Sequence, residues 1–268
     1  VFGGYPRYLG AKVLPLYQKL PRFLRQGLSR AAPLIAERVS SRNVGGWARR
    51  FLASGAQTGL EAYSRWMEHL SVEEKAALYS DRLLAACRDS PARIGPRDNG
   101  IAEADLVAQA FQADLSRYLP ENLLALADRA SMSVGLELRV PLCDVRLAEF
   151  MLNLPSSFRV RGVTLKPLLK ELLRDRLPSE ILSQKKQGFM VPLGHWFRDE
   201  MRSWTEKSLE DFGRRGIVRV DPLRAFWKEH LSGRRNRTDI LWAAFLLEHW
   251  FRRYHPDWRM DKAPASSS

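Results

Sequence analysis

The 268-residue sequence predicts a mostly α-helical fold. Apolar residues recur at helical spacing in two long segments, Ala102 to Leu119 and Asp239 to Arg253. Proline, glycine or serine punctuates the chain at intervals typical of ordinary helices. The period changes to two at Leu136, Leu138 and Val140, alternating with Glu137 and Arg139, which predicts an extended segment ending at Pro141.

Taken in order, helical stretches are predicted over Gly59 to Leu70 and Ser71 to Ala86, with a boundary in the loop from Arg88 to Gly100. The stretch from Pro21 to Gly100 is otherwise the least informative. In the segment from Ala102, Leu106, Ala110, Ala113 and Tyr118 share a face, and Pro120 predicts its stop. A second helix starts at Glu121 and carries Leu123, Leu124 and Ala127 at helical spacing up to Ser131. Asp128 and Arg129 lie side by side on its last turns and so point in different directions. Asp144 is placed to cap the next helix, whose buried stripe is Leu147, Met151 and Leu154. A short helix is predicted from Lys166 to Arg176, closed by Pro178. The final helix presents Ile240, Ala244, Leu247 and Phe251 as an apolar edge, widened by Trp242, Phe245 and Trp250. The ending, 261–268, reads as a loose tail.

A chain of this length with 45% hydrophobic residues buries roughly three quarters of its unfolded surface, enough for one large domain or two small ones. Its apolar runs are short and broken by Arg or Lys, which predicts neither a signal peptide nor a membrane span and points to the cytoplasm. The two cysteines, Cys87 and Cys143, are too few for a disulfide framework and are expected reduced and buried. The five histidines lack the spacing of a zinc site, so no protein-only metal site is predicted. A net charge of +13 favours an anionic partner. The basic residues are scattered as pairs such as Arg214-Arg215, Arg234-Arg235 and Arg252-Arg253, which reads as a solvated surface. A basic helical nucleic-acid-binding module is the alternative from that charge, but the aromatics fall at core spacing.

Lys186 is the sharpest candidate for chemistry. It sits beside Gln187-Gly188, where a glycine turn can hold an ammonium against phosphate oxygens; a solvent-exposed pair with Lys185 is the competing reading. Asp128, Arg129, Glu137 and Arg139 form the second group, with Glu137 and Arg139 on one face of the extended segment, where they can simply pair with surface charges. At the beginning of the chain, Gly3 and Gly4 permit close backbone approach beside Tyr5.

Three ordered segments resemble the asparagine synthase family: VFGGYPRY at Val1, DRASMSVGLELRVPLCD from Asp128 to Asp144, and QKKQGFMVPLGHW from Gln184 to Trp196. The resemblance covers 1–8 and about 118–200 well. It implies the remainder of an α/β PP-loop ATP pyrophosphatase-type synthetase domain, with 1–260 as its C-terminal portion. VFGGYPRY looks like the tail of a G-E-G-x-D-E-L-F-G-G-Y-x-R-Y segment, so the chain is expected to be N-terminally truncated. Neither that acidic stretch nor an S-G-G-x-D-S phosphate loop occurs in it.

The implied chemistry is ATP-dependent adenylation of the aspartate side-chain carboxylate, followed by attack of glutamine-derived ammonia. ATP and Mg²⁺ are the implied cofactors, held mainly by parts outside this sequence, and the chain alone is expected to be inert. Lys186 is implied to stabilise the departing pyrophosphate. Asp128, Arg129, Glu137 and Arg139 would line the substrate pocket, and Gly3, Gly4 and Tyr5 with Lys186 would contact the nucleotide. The resemblance is compatible with a homodimer and calls for no nucleic acid or membrane. Four positions depart from the pattern: Leu126 replaces a basic residue, Cys143 a leucine, Gln184 an arginine and Lys185 a proline. These departures keep open a related amidotransferase acting on a polysaccharide or peptide carboxylate.

Overall fold

The computed structural model describes residues 1–35, 44–88, 105–184 and 191–261. Among them helices dominate. The strands Val160–Arg161 and Thr164–Leu165 form an antiparallel hairpin, with Val160 opposite Leu165 and Arg161 opposite Thr164. Gly162 turns it at φ +58°, a conformation that glycine adopts without a Cβ clash. No helix among the described residues is long and apolar enough to cross a membrane. The chain divides into two compact units: Val1–Arg30, Phe51–Trp66 and Ile94–Gln187 in the first, Ala31–Arg50, Met67–Arg93 and Gly188–Ser268 in the second. One division, between Arg93 and Ile94, falls within the loop that the sequence marks as a boundary.

In the first unit the helix Arg7–Gln18 packs on Gly59–Arg65 and Leu106–Ala113. Tyr8, Ala11, Leu14 and Tyr17 recur three residues apart and bury a single stripe. Val107, Ala110 and Phe111 face inward from the partner helix, where Asp105 caps by accepting from the Ala108 amide at 2.9 Å. Pro120 does not stop this element. The helix widens into a π-helical segment, Asp114–Leu124, and runs on into Ala125–Met132. Proline in a regular helix removes a donor and presses on the carbonyl one turn back; a wider turn relieves both, which explains the passage.

Asp144 caps Val145–Asn153 as predicted, accepting from the amides of Arg146 at 3.0 Å and Leu147 at 3.3 Å. Met151 is buried and Leu147 and Leu154 are half-buried, as the stripe requires. The helix predicted from Lys166 to Arg176 is shorter, Pro167–Leu172, and breaks into turns before Pro178.

In the second unit, Arg202–Gly213, Val220–Leu231 and Thr238–Tyr254 pack together around Phe212, Leu223, Phe226, Trp227, Leu241 and Phe251. The buried stripe of the last helix differs from the predicted one. It runs through Leu241, Ala244, Phe245, Glu248 and Phe251, leaving Leu247 and Trp250 exposed. Glu248 carries the inward face because Arg215 neutralises it there, a partner that local spacing cannot show.

The predicted helix Ser71 to Ala86 is two helices, Val72–Leu78 and Asp81–Arg88. Between them Tyr79 bridges Val218, Ser80 donates to the Ile217 carbonyl and Arg219 to that of Leu78, so pairing across the unit replaces the helical bonds. Ser71 and Glu74 form a reciprocal capping box at the first of the two. The other predicted helix ends at Arg65, not Leu70. Both cysteines are free, but Cys87 is exposed and Cys143 half-buried, so the expectation of burial is wrong for both.

Candidate active site

Lys186, with its neighbours Lys185 and Gln187-Gly188, lies outside the described residues. Asp128 and Arg129 sit exposed on Ala125–Met132. Glu137 and Arg139 lie in an extended stretch and pair with each other, Arg139 Nε to Glu137 Oε1 at 2.8 Å, with 70% and 85% of their side chains exposed. Such a pair contributes about 0–1 kcal/mol. The alternating Leu136, Leu138 and Val140 are exposed as well, so among the described residues neither face of this stretch is covered.

Gly3 and Gly4 do permit close approach. Gly3 has φ +73°, and a Cβ there would stand 3.0 Å from the Arg159 Cβ and carbonyl oxygen. A Cβ on Gly4 would overlap the Lys166 Cε, and the ammonium of that lysine lies over the glycine. Lys166 itself adopts φ +54°, the one non-glycine residue in the left-handed region among the described residues. Arg159 is fully buried, donating to the Met151 carbonyl and lying 4.6 Å over the Phe111 ring.

Asp114, the first residue of the π-helical segment, organises this region, and sequence reasoning missed it. Its Oδ2 accepts from Arg7 Nε at 3.2 Å and Nη2 at 2.8 Å, from the Tyr8 hydroxyl at 2.6 Å and from the Tyr63 hydroxyl at 2.8 Å. Burial, and then the negative charge of Asp114, push both phenols well above their ordinary pKa, so they remain donors. The Arg7 guanidinium lies 4.3 Å from the ring centres of both Tyr5 and Tyr118. The available signal was an acid four residues after Ala110 and four before Tyr118, on the stripe already read as buried.

In the second unit the Val191 to Trp196 segment enters the short helix Leu193–Trp196. His230, fully buried, donates from Nε2 to the Gly194 carbonyl at 3.1 Å, because its Nδ1 accepts from the Arg237 amide at 3.3 Å. Burial, then the charge of Arg198, lowers its pKa to about 4, so the ring is neutral at physiological pH. Arg198 Nε donates to the His230 carbonyl at 2.8 Å.

The paired arginines are not simply a solvated surface. Arg215 is buried on Glu248, at 2.6 Å from Nε and 3.0 Å from Nη2, while Arg214 is exposed. Arg235 pairs with Glu74 and Arg252 with both Glu248 and Asp211, while Arg234 and Arg253 are exposed. One member of each pair faces in. Among the described residues no three His, Cys, Asp or Glu side chains gather to hold a metal ion.

The described residues thus form a mostly helical scaffold in which the N-terminal glycine segment packs against Arg159 and Lys166. The family model described as asparagine synthase matches residues 1–252, and the chain belongs to that family. It is 21% identical over 265 residues to asparagine synthetase [glutamine-hydrolyzing] 1 of Bacillus subtilis, covering 96% of this chain and 40% of that protein. Against asparagine synthetase [glutamine-hydrolyzing] 3 of the same organism it is 31% identical over 124 residues, 46% of this chain and 19% of the relative. The Bos taurus asparagine synthetase [glutamine-hydrolyzing] is 29% identical over 147 residues, 48% of this chain and 24% of the relative. The chain thus spans about two fifths of the length of the first of these relatives. No solved structure matches it significantly.

Proposed function

We propose that residues 1–260 form the C-terminal portion of the synthetase domain of an ATP-dependent amidotransferase that makes asparagine. The family match over residues 1–252 carries this reading. In the proposed reaction an oxygen of the aspartate side-chain carboxylate attacks the α-phosphorus of ATP and pyrophosphate leaves. Ammonia released from glutamine then attacks the acyl carbon and expels AMP.

Lys186 supplies fixed positive charge where pyrophosphate departs. A unit charge 4 Å from a phosphate oxygen contributes about 4 kcal/mol at an effective dielectric of 20, and charge that builds up on the leaving group raises that contribution in the transition state. Gly3, Gly4 and Tyr5 form the backbone wall for the nucleotide. Lys166 adds an ammonium at Gly4, a position that the sequence alone did not single out. Asp128, Arg129, Glu137 and Arg139 line the acid side of the cleft. The described residues do not by themselves gather the carboxylates of a Mg²⁺ site.

A second reading, an amidotransferase acting on another carboxylic acid, is favoured by one observation. Leu126 replaces the family's basic residue and stands exposed beside Asp128, so a cation expected there is absent. ATP–pyrophosphate exchange measured on the whole gene product with a panel of acids separates the two. Exchange with aspartate, falling about 100-fold in Lys186→Met, is the expected result. Exchange with other acids but not aspartate transfers the assignment to the second reading, and no exchange with any acid sinks both.

A further inference from the structure

The Tyr5 ring does not stand alone at the end of the glycine segment. The Arg7 guanidinium carbon lies 4.3 Å from its ring centre and 4.3 Å from that of Tyr118, in the angle between the two rings, and Asp114 Oδ2 accepts two hydrogen bonds from the same guanidinium. A planar guanidinium suits this corner: it meets aromatic rings through cation–π contacts and presents an edge of donors to a carboxylate. Tyr5 also meets Tyr118 directly, edge to face, with ring centres 5.8 Å apart. The segment is therefore gripped on one side by this cluster and on the other by Arg159, which lies against Gly3.

Asp114 draws its donors from two further elements. Tyr8 comes from the same helix as Arg7, and Tyr63 from Gly59–Arg65. Its other oxygen, Oδ1, is buried with no partner among the described residues, so the carboxylate is committed to this one cluster. Two kinds of contact can thus be told apart. Tyr63 bonds Asp114 and lies 5.8 Å from the Arg7 guanidinium carbon, whereas Arg7 bonds Asp114 and lies 4.3 Å from the Tyr5 ring centre.

We infer that Arg7 and Asp114 are positioning residues for the nucleotide-contacting segment Gly3 to Tyr5, acting on ATP through the cluster of Arg7 with the Tyr5 and Tyr118 rings. The inference rests on the assignment of that segment to the nucleotide. Arg7 sets the orientation of Tyr5 and hence the path of the two glycines, and Asp114 sets the orientation of Arg7. Neither side chain needs to touch ATP.

The test compares Arg7→Lys with Tyr63→Phe in the whole gene product. Lysine keeps the charge beside Asp114 but lacks the planar, multi-donor group that meets both rings and the carboxylate at once. Phenylalanine removes one donor to Asp114 and leaves the cluster of Arg7 with the Tyr5 and Tyr118 rings intact. Amide hydrogen exchange of the peptide containing Gly3 to Tyr5 is measured together with KM for ATP and kcat in ATP–pyrophosphate exchange.

Arg7→Lys is expected to speed exchange of these amides about tenfold and to raise KM for ATP about tenfold, with kcat within about twofold. Tyr63→Phe should leave both within about twofold even where its melting temperature falls. Equal effects of the two variants, or unchanged exchange and KM in Arg7→Lys, would overturn the inference by showing a purely structural cluster. If Arg7→Lys fails to fold, Tyr118→Leu removes one of the two rings against Arg7 together with the edge-to-face contact to Tyr5, and is judged by the same readings. Absence of ATP–pyrophosphate exchange in the unaltered protein overturns the nucleotide assignment, and with it the role toward ATP. Amide exchange is read independently of it and decides whether Arg7 orders the segment.

Discussion

In the unit containing Gly188–Ser268, Phe212, Leu223, Trp227, Leu241 and Phe251 close a core among themselves. In the unit containing the Asp128 to Asp144 segment, Leu126, Val134, Leu136, Leu138 and Val145 stand exposed. Buried charge follows the same division. Glu248 is held by two arginines, one of them buried with it, and Arg215 turns its Nη1 amino group toward the carbonyls of His255, Pro256 and Trp258. Asp114 is held by one arginine and two tyrosines, and keeps one oxygen unpaired among the described residues. The contrast separates two uses of sequence. Both units leave apolar residues exposed, Trp204, Leu247 and Trp250 in the one, but only in the other do they line up along an extended stretch, Leu136 to Val140, that no described residue covers.

The largest expected effect falls on the closed unit. Glu248→Gln leaves the buried Arg215 without a counter-charge and should cost about 3–5 kcal/mol in chemical denaturation, because the desolvation of the arginine is then uncompensated. Asp114→Ala, in the other unit, should cost about 2–3 kcal/mol, since Arg7 and two phenols lose their acceptor but Arg7 keeps its aromatic faces. A loss larger than that for Glu248→Gln would reverse the comparison.

His230 gives the closed unit a pH dependence. Its folded pKa of about 4 lies below the ordinary 6.5, so the unfolded chain takes up the proton first as pH falls. The stabilisation is complete above pH 6.5 and is lost as pH falls toward 4, amounting to about 2 kcal/mol once solvent screening is allowed for. His230→Asn should flatten the stability curve over that window; an unchanged slope would show that carboxylates account for it. The smallest effect belongs to the open strip, where Leu136→Ser and Leu138→Ser should each change the stability of this chain by less than about 0.5 kcal/mol. A larger loss would show that the strip is covered in solution.

Legibility followed the range of the forces involved. The Asp144 cap and the stripe through Met151 were readable because both depend on neighbours within one or two turns. The continuation through Pro120 was not, since the local rule that proline ends a helix does not anticipate a π-helical widening that accommodates it. Glu248 was passed over on an otherwise readable helix because its partner is 33 residues away. At the candidate site, the glycine pair was identified for the right physical property, close approach, but its neighbours Arg159 and Lys166 were not foreseen. Asp114 was hidden for the same reason, its partners being 51 to 107 residues away in sequence.

The sequence by itself determined that the chain is mostly helical, where several of its helices begin, and which family its three ordered segments belong to, because periodicity, capping and motif order are local properties. Tertiary structure alone decided which acids are buried, which arginine of each pair turns inward, and that Tyr5, Arg7 and Tyr118 meet on Asp114. Burying a charge is favourable only when its partner arrives from elsewhere in the chain, and that arrival depends on folding, which one-dimensional spacing does not record.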